Sequence, residues 1–205
     1  MKENFWNSVW AGEILYNGKN NTKELPWEAY TWDKNLEELI SQINTKEYNI
    51  LELGCGSGYD TLFLSKISKS ITAIDISEIA INIAKKNNIE RNNINFIVGD
   101  ISTDIPNKEY DLVYDKGCLH NNIEEASSLF INLHQLLSKN GKIIIITGNK
   151  NSKGSLYTRP PGVDISTVES ASKGLFDIKL VKEIIIEQNK DYENALGWIF
   201  LLEKR

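Results

Sequence analysis

A chain of 205 residues with a formal net charge of −5 can bury one sizeable core and lacks the basic surplus of a nucleic-acid binder. No apolar stretch is long enough to span a bilayer, and Met1-Lys2-Glu3-Asn4 leads into polar and aromatic residues where a secretory leader would be apolar. The two cysteines, Cys55 and Cys118, have no CxxC or Cys/His spacing, so no metal site is expected and free thiols suit a reducing cytoplasm.

Phe5, Trp6, Trp10, Tyr16, Trp27 and Tyr30 crowd a first segment of weak periodicity, broken by Asn17, Gly18, Asn20, Asn21 and Pro26. A short helix fits Glu3 to Ala11. Single tryptophans of this kind staple a segment to the core; the set suggests that residues 1–32 form an aromatic flap over a ligand. Asp33 to Ile43 reads as an amphipathic helix with Leu36, Leu39, Ile40 and Ile43 on one face and Asp33 as its N-cap.

Ile50 to Leu53 is then an apolar run that ends in glycines at alternate positions, Gly54, Gly56 and Gly58, before an amphipathic stretch to Ile67. That is a buried strand, a tight loop and a helix start. Glycine permits positive φ there and removes the Cβ, so a ligand can approach the backbone closely. The dinucleotide fingerprint G-x-G-x-x-G fails, because Tyr59 stands where a small residue is required. The phosphate loop G-x-x-x-x-G-K-[ST] is absent.

Ser70 to Ile76 reads as a second strand ending in Asp75, near the roughly 20-residue separation at which an acid meets a ribose diol. Asp75 could equally serve the start of the next helix, but Ser77 is the better cap. That helix covers about Ser77 to Glu90. Asn95 to Ile101 is a third strand, ending in Gly99-Asp100, where the acid is either a ligand contact or a turn residue. Tyr110 to Asp115 is the fourth strand. A helix follows from about Ile123 to Leu137, with Gly141 marking its end, and Lys142 to Thr147 is an apolar, buried fifth strand. The loop Gly148 to Asp164 holds Tyr157, Arg159, Pro160 and Pro161 and is long enough to be a lid. Ser166 or Thr167 caps a short helix. Phe176 to Ile186 and Ala195 to Glu203 are the last strands.

This alternation predicts one α/β domain over residues 1–205: a Rossmann-like, doubly wound, seven-stranded sheet, mostly parallel, with an antiparallel C-terminal edge hairpin. Ligands of such sheets sit at the carboxyl ends of the strands, where the glycine loop, Asp75, Asp100 and Asp115 all fall.

The spacing E-x-G-x-G-x-G, Glu52 to Gly58, resembles motif I of the class I S-adenosylmethionine (SAM)-dependent methyltransferases. Trp6-x-x-x-Trp10, Pro26-Trp27-Glu28, Asp115-Lys116-Gly117 and the Arg159-Pro160-Pro161-Gly162 loop further resemble the thiopurine and halide/thiol branch. Two departures are a longer Asn-rich stretch before Trp27 and Lys116 in place of arginine.

The resemblance implies SAM as cofactor, bound by Trp10, Glu52, Gly54, Gly56, Gly58, Asp75, Ile76, Asp100, Ile101 and Asp115. Asp75 would meet the ribose, Asp100 the adenine amine, and Ile101 the ring, with Trp10 covering the cofactor and Asp115 near the methionine ammonium. Trp27, Lys116 and Tyr157 are the expected acceptor-binding residues. A [DN]-P-P-[YF] segment, typical of DNA-base methylation, is absent.

Asp115 and His120 are the candidate catalytic groups, His120 being a possible base, a cap or a surface residue. His134 lies among leucines and reads as structural. Methyl transfer from a sulfonium needs alignment more than acid–base help, so scarce bases favour a small soft nucleophile: a thiol, selenol, halide or metalloid oxyanion. An O- or N-methyltransferase of a larger metabolite and a SAM-binding regulator without catalysis are the alternatives. The expected partner is thus a small-molecule methyl acceptor, with the chain a monomer or weak dimer, touching neither nucleic acid nor membrane.

Overall fold

The computed structural model describes residues 2–14, 24–152 and 160–205. Helix α1 spans Lys2–Trp10 and α2 Lys34–Ile40. Strand β1 (Asn49–Leu53), helix α3 (Tyr59–Ile67), strand β2 (Ser70–Asp75), helix α4 (Glu78–Asn87) and strand β3 (Ile94–Val98) then alternate. Strand β4 (Tyr110–Lys116) leads through two short 3-10 turns, Leu119–Asn121 and Ile123–Glu125, into α5 (Ala126–Leu136). The chain ends with β5 (Leu137–Asn149), β6 (Gly162–Val163), α6 (Ile165–Ser172), β7 (Phe176–Ile186) and β8 (Ala195–Lys204).

The strands lie in the order β3-β2-β1-β4-β5-β8-β7, with the two-residue β6 added beside β5. The strands β1 to β5 pair in parallel, and β8 runs antiparallel to both β5 and β7. The doubly wound expectation holds, and the hairpin closes the sheet with β7 outermost. Strand order reverses between β1 and β4, and a crevice opens there at the carboxyl ends of the strands.

The sheet is buried on both faces, as near-continuous apolar strands require. One face packs Ile50, Leu112 and Ile144 against Leu36, Leu39, Phe63 and Leu64 of α2 and α3 and Ile81 of α4. The other packs Leu51, Val113 and Ile145 against Leu129, Phe130 and Leu133 of α5 and Val168 of α6.

Several boundaries differ from the sequence expectation for physical reasons. Helix α2 stops at Ile40, because Gln42 and Ile43 donate to Leu39 and Ile40 in tighter turns. Helix α5 ends at Leu136, since Leu137 is already extended at φ −81°, ψ 140°. Gly141 therefore belongs to a bulged entry into β5, not to a helix end, and the register shifts between Tyr110 and Leu112 on the facing strand. Asp164, rather than Ser166 or Thr167, is the N-cap of α6, and its carboxylate is drawn away to the ammonium of Lys150.

Candidate active site

The glycine loop is set by backbone conformation. Gly54, Gly56 and Gly58 have φ of +66°, +53° and +80°, a region in which a Cβ is strained. The amides of Gly54 and Cys55 donate to Ile74 O of β2, at 2.8 and 3.1 Å. A Cβ on Gly58 would come within 2.9 Å of Ala84 Cβ, so the third glycine lets α3 and α4 pack closely.

Asp75 closes the loop from β2. Its Oδ2 accepts from Gly56 N at 2.9 Å and its Oδ1 from Ser77 N at 2.9 Å. Burial pushes its pKa up, against these two bonds. Ser77 caps α4 by accepting from Ala80 N at 3.2 Å, as its sequence position suggests.

Above the loop lies a cavity of about 230 Å³. It brings together Glu52, Gly54, Gly56, Asp75 and Ile76 from the first two strand ends, and Asp100 and Ile101 past β3. Trp10, Trp27, Lys116 and His120 also line it. Gly58 and Asp115 do not, and Tyr157 falls outside the described residues.

Helix α1 lies across this cavity. A Cβ on Gly56 would meet Trp10 Cζ2 at 3.2 Å, so the indole rests on the glycine loop itself. Trp27 packs edge-on against both Trp6 and Trp10, with ring centroids 6.1 and 6.4 Å apart. Asn7 accepts from Ser77 Oγ at 2.8 Å at one end, and Lys2 pairs with Glu125 at 3.1 Å at the other. The Pro26–Glu28 segment is held separately: Asn189 N donates to Pro26 O at 2.8 Å and Asn189 Nδ2 to Glu28 O at 3.2 Å.

Strand parity separates Asp115 from Lys116. Val113 belongs to the α5 face and Tyr114 to the α3 face, so Asp115 follows the former and Lys116 the latter. The Asp115 carboxylate accepts from Cys118 N at 3.2 Å and Leu119 N at 3.0 Å, which shapes the turn after β4. Burial raises its pKa to about 7 against those bonds. Asp115 thus stands off the cavity wall, with its carboxylate engaged by the turn after β4.

Lys116 reaches the cavity, but its ammonium is paired with Asp33 at 3.1 Å and Asp60 at 3.4 Å. Asp60 also accepts from Tyr114 Oη at 2.9 Å and from Asp33 N at 2.7 Å. Asp33 meanwhile caps α2 through Asn35 N at 2.8 Å. One cluster therefore ties α2, α3 and β4 together beneath the cavity.

His120 Nδ1 and Thr147 Oγ1 are 3.3 Å apart and share a hydrogen bond whose direction the ring tautomer sets. Burial lowers the His120 pKa to about 4, so the imidazole is neutral at pH 7. Glu28, Asp60 and Thr147 line the cavity without having been singled out from the sequence. Among the described residues no group of three or more His, Cys, Asp or Glu is placed to hold a metal, and both cysteines are free. No described helix is long and apolar enough to cross a membrane.

The residues fit SAM. Glu52 is 3% exposed, and its Oε2 has no hydrogen-bond partner. Burial pushes its pKa well up, as for a carboxyl whose charge calls for a cation beside it. The glycine loop leaves backbone room beside it, and Asp75 stands at the neighbouring strand end. Fold and site together define a class I SAM-dependent methyltransferase.

Residues 44–194 match the family model described as "Methyltransferase domain", and the chain belongs to that family. A malonyl-[acyl-carrier protein] O-methyltransferase of Ilyobacter polytropus is 38% identical over 138 residues, 63% of this chain and 50% of that protein. A ubiquinone biosynthesis O-methyltransferase of Coxiella burnetii is 29% identical over 125 residues, 60% of this chain and 53% of that one. The chain thus spans about half the length of these curated relatives. A solved structure from work on the conversion of a disulfide bond into a thioacetal group during echinomycin biosynthesis superposes with a TM-score of 0.82. At 16% identity, covering 100% of this chain and 92% of that one, it shows a shared fold.

When bound, SAM supplies a methyl group already activated by positive sulfur. Glu52 would take the ammonium, Asp75 the ribose, and Asp100 with Ile101 the adenine. Trp6, Trp10 and Trp27, which line the cavity, would cover the bound group. Lining up donor and acceptor in such an enclosure can lower a barrier by several kcal/mol.

Proposed function

We propose that the chain moves the methyl group of SAM to a small, uncharged acceptor with a soft nucleophile, a thiol or selenol foremost. One observation carries this: an aromatic-roofed cavity in which both described lysines are already paired. Lys2 is bound to Glu125 and Lys116 to Asp33 and Asp60. Pro160, Pro161 and Ile186 add apolar wall. An anionic acceptor would enter beside Asp60 and Glu28 with no free described cation to meet it. The aromatic cover matches the thiopurine and halide/thiol branch, although this charge balance disfavours its halide and oxyanion acceptors.

O-methylation of an apolar phenol is the second reading. The Coxiella relative's name points to oxygen, and neutral His120 in the cavity could accept a phenolic proton. The malonyl relatives' name implies a carboxylate acceptor, which the paired lysines disfavour here.

The test is SAM turnover, read as S-adenosylhomocysteine (SAH) release, with an aryl thiol, hydrogen sulfide, iodide, a catechol and a malonyl thioester. The aryl thiol should turn over fastest and iodide should be inert. Turnover of the catechol alone would replace the first reading with the second, and preference for the malonyl thioester would overturn both.

A further inference from the structure

Five acids line the cavity, and three have their charge accounted for. Asp75 accepts from two backbone amides, Asp60 faces Lys116 and Tyr114, and Asp100 Oδ1 accepts from Ser102 N at 2.8 Å. Glu52 and Glu28 are left, and neither forms an ion pair among the described residues. SAM carries two cationic centres, an ammonium and a sulfonium. SAH keeps only the ammonium.

The two carboxyls approach the glycine loop from different sides. Glu52 comes from β1, ahead of Gly54. Glu28 comes from the N-terminal segment, with Oε1 4.0 Å from where a Cβ on Gly56 would stand, on the side where Trp10 rests. Burial raises the Glu28 pKa, against the nearby Ser57 hydroxyl and Lys116 ammonium, and Asp60 adds to the rise. Its backbone is fixed by Asn189 and by the bond from Glu28 N to Leu25 O at 3.1 Å. A buried carboxyl on a clamped segment, beside a cradle for a ligand with two cationic centres, is poorly solvated until a cation arrives.

We infer that Glu28 is a specificity-determining residue for the methyl donor, its carboxylate meeting the sulfonium charge that the spent cofactor no longer has. Glu52 then serves the ammonium, which donor and product share. The N-terminal segment thereby holds the methyl-bearing form and slackens once the methyl has left, which favours product release. The inference concerns the donor and stands apart from the acceptor reading, so failure of either leaves the other to be judged on its own assay.

Isothermal titration calorimetry of the full chain with SAM and with SAH tests it without turnover. In Glu28→Gln the Kd for SAM should rise at least tenfold while that for SAH changes less than threefold. Equal weakening of both ligands would place Glu28 on the ammonium or on the fold, and overturn the inference, as would no change in either. Should Glu28→Gln fail to fold, Glu28→Asp decides. It keeps the charge but withdraws it by one methylene, so the ratio of SAH to SAM dissociation constants should fall at least threefold, and an unchanged ratio refutes the assignment.

Discussion

Replacing Lys116 with methionine tests the buried charge cluster most directly. The ammonium lies 3.1 Å from Asp33 and 3.4 Å from Asp60. At an effective dielectric of about 20, each contact is worth roughly 5 kcal/mol of attraction. Desolvating the three ions costs several kcal/mol each, so the net stabilisation is far smaller than the sum. The variant is harmful for a different reason: it leaves two carboxylates facing each other with side chains only 2% and 12% exposed. Removing one partner of a buried ion pair costs about 3–5 kcal/mol. Since the Lys116 side chain is itself 22% exposed, the lower end, about 3 kcal/mol, is expected. For a chain of this size that is a fall in Tm of about 6–12 °C.

Differential scanning calorimetry of Lys116→Met reads that fall. Asp60→Asn in the same background should recover part of it, because the amide still accepts from Tyr114 while one of the opposed charges is gone. A fall below about 2 °C, or strict additivity of the two substitutions, would refute a coupled cluster.

Asp75→Ala should weaken SAM binding more than tenfold, since charge-assisted hydrogen bonds are worth roughly 1.5–3 kcal/mol and the carboxylate also pins Gly56; unchanged affinity by calorimetry would remove the ribose assignment. Asp115 binds its proton more tightly folded, at about 7, than its ordinary 3.8, so stability falls as pH rises between those values; Asp115→Asn should flatten that slope in urea titrations at pH 4 to 7. His120, at about 4, stays neutral through the working range, so kcat/KM should show no limb lost in His120→Gln between pH 5 and 8. Gly56→Ala combines a φ of +53° with a Cβ 3.2 Å from Trp10, so it should displace the indole and shift tryptophan fluorescence, with a loss of about 1–2 kcal/mol in stability.

What the sequence made legible was local or periodic. Alternate glycines after an apolar run announce a positive-φ loop because few other residues tolerate that backbone. Asp33 and Ser77 announce helix starts because a cap acts within three residues. The Lys116 cluster was hidden, since Asp33, Asp60 and Lys116 lie on separate elements joined only by the sheet. Glu28 was hidden for a similar reason: Asn189, from the turn between the last two strands, holds its backbone in place. Tertiary partners of this kind leave no local mark.

Asp115 is the instructive residue, because its neighbours along the strand already say which face it leaves from. The resemblance treats Asp115-Lys116-Gly117 as a unit presented to the ligand. A strand cannot present consecutive side chains to one face, since its period is two. Leu112 and Tyr114 share the α3 face with Lys116, and Val113 shares the α5 face with Asp115. With the fourth strand running through Lys116, the two side chains leave opposite faces of the sheet, and of the pair only Lys116 lines the cavity. The other must find backbone donors or stay protonated, and Asp115 does the first through Cys118 and Leu119 while burial still pulls it toward the second. Parity along a strand therefore sends neighbouring residues of a borrowed motif into different surroundings, and it does so before any coordinate is known.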